Sequence, residues 1–260
     1  MIEQIKIGCA STKTTYGHRL DTTLVELNSD AKISGLFTSN KFKSAPVQIC
    51  LDQLEAKMKG KKMLAINAGN ANAATGKKGV SDAKKLIQEI SNLTNISTTQ
   101  ILPFSTGVVG QLLDVKQLSL AFNKCFKNLS KNSWDDFAKA IMTTDTESKI
   151  IKLPFKAGSK KYHIVGIAKG VGMIEPNMAN TLSYVFTDLK IPELTLKKLH
   201  KRICDKTFNA ISIDGDQSPS DSSILVATGS SKVNFKNYSK KIEKDIFSIF
   251  NKLSEKLVLD

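Results

Sequence analysis

The stretch spanning residues 169–188, KGVGMIEPNMANTLSYVFTD, most constrains what this chain can become. Gly170, Gly172 and Pro176 interrupt regular structure among small residues. Leu182, Tyr184 and Phe186 then alternate with Ser183, Val185 and Thr187, the period of a strand. A turn that delivers a hydroxyl to the start of a strand suits a self-processing site. There the hydroxyl attacks the preceding carbonyl, the amide shifts to an ester, and hydrolysis leaves a new N-terminal residue. The freed amine can then act as base for its own hydroxyl.

A chain of 260 residues can bury a sizeable core and is expected to form one or two domains. No apolar run approaches the roughly 18 residues that span a bilayer, and the opening MIEQIKIG is no signal peptide, so the expectation is a cytoplasmic protein with no membrane contact. Cys9, Cys50, Cys125 and Cys204 are scattered without CxxC spacing, which points to reduced, buried thiols rather than a zinc site or disulfide framework. The net charge of +14 raises the question of nucleic acid. Only Arg19 and Arg202 among 38 basic residues are arginines, however, and no aromatic residues interleave with the lysines. Nucleic-acid readers lean on Arg for bidentate contacts, so the charge is read as solvated lysine and no nucleic-acid partner is expected.

Along the chain, strands are expected over residues 4–9, 22–28 and 32–37, followed by a helix that starts near Pro46 and carries Ile49, Leu51, Leu54 and Met58. A strand over 62–66 opens into the small-residue and amide run NAGNANAATG, residues 67–76. Asn70 or Asn72 could contact a ligand there, or the amides could satisfy a tight loop; both readings stand at this level. A helix is expected over 81–93, then a strand over 100–104 that ends in STGVVG, residues 105–110. Glycines just past a strand can aim backbone N–H groups at one anion, and a plain strand-to-helix turn is the alternative. Asp114 is the expected N-cap of a helix with Leu118, Phe122 and Cys125 inside. Trp134, Phe137, Ala138 and Ile141 mark another helix, ending in MTTDT, residues 142–146. A hairpin (149–155 and 162–168) leads into Lys169. Beyond the central stretch come a helix over 194–204, a strand over 209–213, and the run DGDQSPSD, residues 214–221. Its Asp214, Asp216 and Asp221 lack EF-hand spacing and are read as turn caps, with no metal expected. A last amphipathic helix carries Ile242, Ile246, Ile249, Phe250, Leu253 and Leu257.

These blocks resemble the ornithine acetyltransferase family, the glutamate N-acetyltransferases of arginine biosynthesis. Lys169, Gly170, Gly172, Met173, Ile174, Pro176, Asn177, Met178, Ala179, Leu182, Thr187 and Asp188 follow the family signature without a gap. Residues 35–40 and 45–47, 67–76, 105–110, 142–146 and 214–221 resemble further family blocks in order. One position departs: where the family places its nucleophilic Thr, after Ala179, this chain has Asn180, and the hydroxyl comes one place later at Thr181.

The resemblance implies a layered α-β-β-α sandwich. Residues 1–179 would correspond to the family's first chain and 180–260 to the start of its second, cut between Ala179 and Asn180. The chain is expected to lack the family's last third. The resemblance further implies acetyl transfer from N-acetylornithine to glutamate through an ester on the N-terminal hydroxyl. Thr106 and Gly107 would form the oxyanion hole, and Thr143 and Lys169 would bind substrate. No cofactor is implied, although some members use acetyl-CoA as donor, and the two halves would stay associated, as a heterotetramer once processed. The second reading is a homologue that folds or binds without turnover, because Asn180 brings no hydroxyl. A self-processing aminopeptidase is a third.

Overall fold

In the computed structural model, residues 2–131, 133–157, 160–170, 182–210, 217–231 and 240–259 are described. The first two strands, β1 (Ile5–Ala10) and β2 (Thr22–Leu27), pair antiparallel as their short apolar runs lead one to expect. The third, β3 (Lys32–Phe37), leaves them for a second sheet. Helix α1 (Ala45–Glu55) starts with Pro46 in its first turn, where a missing N–H costs nothing. Its Ile49 and Cys50 are buried, whereas Leu51, expected inside, is exposed. Strand β4 (Lys62–Asn70) runs four residues past the expected end, so the amide run begins within the sheet.

Helix α2 (Gly76–Thr94) buries Ala83, Leu86, Ile87 and Ile90 on one face. Strand β5 (Ile101–Val108) follows and pairs parallel with β4. Helix α3 (Val115–Lys127) is capped by Asp114, whose carboxylate accepts from Gln117 N at 3.0 Å. Helix α4 (Trp134–Ala140) precedes the hairpin β6 (Lys149–Ala157) and β7 (Lys160–Lys169). The second half comprises β8 (Leu182–Thr187), α5 (Glu193–Lys206), β9 (Ser222–Ala227) and α6 (Lys240–Leu259).

One sheet has the order β1-β2-β4-β5 and the other β3-β9-β8-β7-β6. Helices α2 and α3 cover the outer face of the first, α5 and α6 that of the second, and the two inner faces meet in the main core. This is a layered α-β-β-α sandwich. Rings stitch the inner faces together: Phe104 of β5 lies edge-on to Tyr184 of β8 at 5.5 Å, and Trp134 of α4 to Phe186 at 5.2 Å. Such pairs contribute about 0.5–1.5 kcal/mol each beyond the area they bury.

One expectation changes and one is met. The alternating segment expected as a strand is β8, and all six of its residues are buried, because α5 and α6 cover the side that Ser183 and Val185 occupy. The strand expected over 209–213 begins instead as a 3-10 turn, Phe208–Ala210, and residues 211–216 lie outside the described residues. The strand that fills the centre of the second sheet is β9, parallel to β8.

Candidate functional site

Strands β4 and β5 run parallel, so the chain leaves both at the same end of the sheet. There Gly69 faces Gly107 across the ladder, with φ of +100° and +126°. A Cβ at Gly107 would lie 2.4 Å from the carbonyl carbon of Gly69, so only glycine allows the two backbones this approach. Beyond them, Ala71 N donates to Val108 O and Gly110 N to Ala73 O, both at 2.9 Å. The amides of the 67–76 run are used in this packing. Asn70 Nδ2 donates to Leu112 O at 3.1 Å, Asn72 Nδ2 to Gly79 O at 3.0 Å, and Asn67 Oδ1 accepts from Ser105 Oγ at 2.7 Å. The loop-packing reading of Asn70 and Asn72 therefore holds.

The MTTDT block follows α4. Buried Asp145 caps its own loop: its carboxylate accepts from Thr143 N at 2.9 Å and from Gly170 N at 2.8 Å, which ties this loop to the end of β7. Lys169, the last residue of β7, is 4% exposed, and its Nζ donates to Thr143 Oγ1 at 3.2 Å. Burial pushes the Lys169 ammonium below the usual lysine range, while the nearby carboxylates of Asp145 and Asp221 oppose that shift. Asp221 is buried and its charge favours the Lys169 ammonium; Asp214 and Asp216 lie outside the described residues.

A cleft of about 290 Å³ opens between these pieces, walled by Thr106 and Gly107, by Thr143 and Lys169, and by Tyr16 and Ser220. Four residues singled out in the sequence are therefore brought together from β5, the α4–β6 loop and β7. Tyr16, from the loop between β1 and β2, is an addition that no local pattern in the sequence marked, and residues 218–220 come from the 214–221 run, none of whose residues had been named as site residues. Ala179, Asn180 and Thr181 lie outside the described residues, but Leu182, covalently next to Thr181, is the ladder partner of Lys169. A larger groove, about 900 Å³ between α2 and α3, contains none of the expected residues. Among the described residues no group of three His, Cys, Asp or Glu is placed to hold a metal ion.

The arrangement offers one buried ammonium, hydroxyl groups, and a glycine-containing strand end within a cleft of amino-acid size. That set can hold a carboxylate and an oxyanion without a metal.

Comparison with known proteins agrees with these blocks. The chain is 40% identical over 239 residues to the arginine biosynthesis bifunctional protein ArgJ of Colwellia psychrerythraea, covering 88% of this chain and 56% of that protein. It spans little more than half the length of the curated relatives it matches. Among solved structures it is similar to the ArgJ protein of Bacillus halodurans, with a TM-score of 0.57 and 27% identity over 68% of this chain and 92% of that one. It shares its fold with the ornithine acetyltransferase of Mycobacterium tuberculosis solved with ornithine, with a TM-score of 0.54 and 24% identity over 67% and 92% of the two chains. No helix among the described residues is long and apolar enough to cross a membrane. The ArgJ family profile matches residues 4–260, and the chain belongs to the ArgJ family.

Proposed function

We propose that this chain carries the amino-acid-binding and oxyanion half of an acetyltransferase that moves an acetyl group from N-acetylornithine to glutamate. The observation that carries the reading is the meeting of Thr106, Gly107, Thr143 and Lys169 around one cleft, at the strand end that pairs with Leu182. Leu182, the residue that follows Thr181 in the chain, is the ladder partner of Lys169.

In this reading a hydroxyl at the junction attacks the acetyl carbonyl of N-acetylornithine. The tetrahedral oxyanion is held at Thr106 and Gly107; the ornithine nitrogen leaves with a proton, and an acetyl ester remains on the enzyme. The amine of glutamate then attacks the ester, and the hydroxyl is restored. Lys169 and Thr143 hold the substrate carboxylate, a charge-assisted contact of roughly 1.5–3 kcal/mol. Acetyl-CoA is an alternative acetyl donor, and the two chain halves remain associated after the cut.

Thr181 is the hydroxyl that this chain has available, and its use shifts the cut to the Asn180–Thr181 bond. A second reading, binding without turnover, is favoured by Asn180 in the nucleophile's place. Intact mass and N-terminal sequencing of purified protein separate the two. A new N-terminus at residue 180 or 181 together with acetyl transfer supports the enzyme; a single uncut chain without transfer leaves the binding reading.

A further inference from the structure

The chain uses lysine for 36 of its 38 basic residues, and each of its two arginines lies over an aromatic ring. Arg202 of α5 stacks on Phe247 of α6 at 3.9 Å, a contact between two outer helices. Arg19 stacks on Tyr16 at 3.7 Å, and Tyr16 lines the cleft. The same guanidinium reaches across to the α4–β6 loop: Nη2 donates to Met142 O at 2.8 Å and Nη1 to Thr143 O at 3.4 Å. A planar guanidinium can stack and donate from two nitrogens at once, whereas an ammonium cannot do both.

Contacts from other groups show what the clamp fixes. Arg19 N also donates to Tyr16 O at 3.2 Å, closing a turn with Gly17 at φ +62°. On the far side, Thr143 Oγ1 accepts from Lys169 Nζ. One side chain thus joins the Tyr16 wall to the loop that sets the position of Lys169. Burial raises the Tyr16 phenol above its ordinary range, against the Arg19 guanidinium, which lowers it.

We propose that Arg19 is a positioning residue for this cleft, holding Tyr16 as a ligand-contacting wall and Thr143 in register with Lys169, and so setting affinity for the amino-acid end of the substrate. The inference rests on the reading under Proposed function for the identity of that ligand, but the clamp itself does not.

The test uses the full chain with Arg19→Lys, Arg19→Gln and Tyr16→Ala, and with Arg202→Gln as the control on the other stack. Two quantities are read: ornithine binding by calorimetry, and the titration of Lys169 by NMR of 13C-labelled lysine, assigned with Lys169→Met. Arg19→Lys keeps the charge, so a change there reports geometry. Both Arg19 variants and Tyr16→Ala are expected to weaken ornithine binding about tenfold, on the scale of one lost hydrogen bond to a charged system. In the Arg19 variants the Lys169 titration moves up toward that of an ordinary lysine, and Arg202→Gln changes neither readout. An unmoved Lys169 titration in both Arg19 variants overturns the inference, even if binding falls, because the effect would then be general loosening. A wild type that binds no ornithine, with a Lys169 titration that still responds to Arg19, overturns the proposed substrate and leaves the clamp standing. If Arg19→Gln fails to fold, Arg19→Lys decides alone.

Discussion

Lys62 and Lys169 are equally buried, 4% exposed each, and in both burial pushes the ammonium below the usual lysine range. They sit in different surroundings. Lys62 opens β4, and its Nζ donates to two backbone carbonyls, Ser29 O at 2.9 Å and Gly60 O at 2.7 Å, which closes the loops at that end of the sheet. Lys169 closes β7 beside the cleft, where its hydrogen-bond partner among the described residues is the single hydroxyl of Thr143, and an ammonium has three donors. The lesson is that burial of a charge does not distinguish scaffold from site. What differs among the described residues is that Lys62 Nζ meets two backbone carbonyls, whereas Lys169 Nζ meets one hydroxyl beside a cleft.

That contrast can be broken at several points. His200 belongs with Lys62: fully buried on α5, it has Ser34 Oγ at 2.9 Å from Nδ1 and Ser223 Oγ at 3.0 Å from Nε2, and Ser223 in turn accepts from Ser183. Burial lowers its pKa from 6.5 to about 3. The native state therefore binds fewer protons than the unfolded chain, so this stabilisation is present above pH 6.5 and is lost as pH falls toward 3. The wild type should lose on the order of 4–5 kcal/mol through this group across that window, and His200→Gln should lose that much less, in denaturant melts at stepped pH. Equal acid sensitivity of the two proteins would show that His200 is not carrying the effect.

Gly107 tests the cleft side through the backbone. Because a Cβ would meet Gly69 in a conformation that L residues rarely adopt, Gly107→Ala should cost about 3 kcal/mol and also impair ligand binding. A stable variant with normal binding would mean that the close approach of the two strands is not required.

Lys62→Met should destabilise by about 1–3 kcal/mol, because two carbonyls lose their donor, and should leave ornithine binding unchanged. Loss of binding in this variant would erase the distinction between the two lysines. The smallest effect lies in the alkaline range. A lysine whose folded pKa is lowered releases its proton first in the native state, so stability rises relative to Lys169→Met as pH climbs through the folded pKa toward 10.5. Parallel pH profiles for the two proteins would contradict the assigned desolvation.

Much of the sandwich was legible because most of its elements obey local rules. Asp114 caps α3, Pro46 starts α1, and the apolar periods of α2, α5 and α6 announce their inner faces. Strand β9 was not, because Ser222 and Ser223 followed by Ile224, Leu225 and Val226 show no alternation; the strand is covered on both faces and is placed by its parallel partner β8. The cleft is similarly divided. Thr106, Gly107, Thr143 and Lys169 were named from blocks shared with a family, whereas Tyr16 lies in no such block, and Ser220, within the 214–221 block but not named from it, is placed by a loop held through tertiary contacts such as the Ser44 N to Pro219 O bond at 2.9 Å.

The central claim is that Lys169 serves a ligand rather than the fold. It is tested most directly by calorimetric titration of ornithine into the wild type and into Lys169→Met, with melting of both proteins measured alongside. The expected result is binding to the wild type that weakens about 100-fold in the variant while stability is kept or gained, since a desolvated charge has been removed. Unchanged binding in a variant that loses stability, as Lys62→Met is expected to, would contradict it.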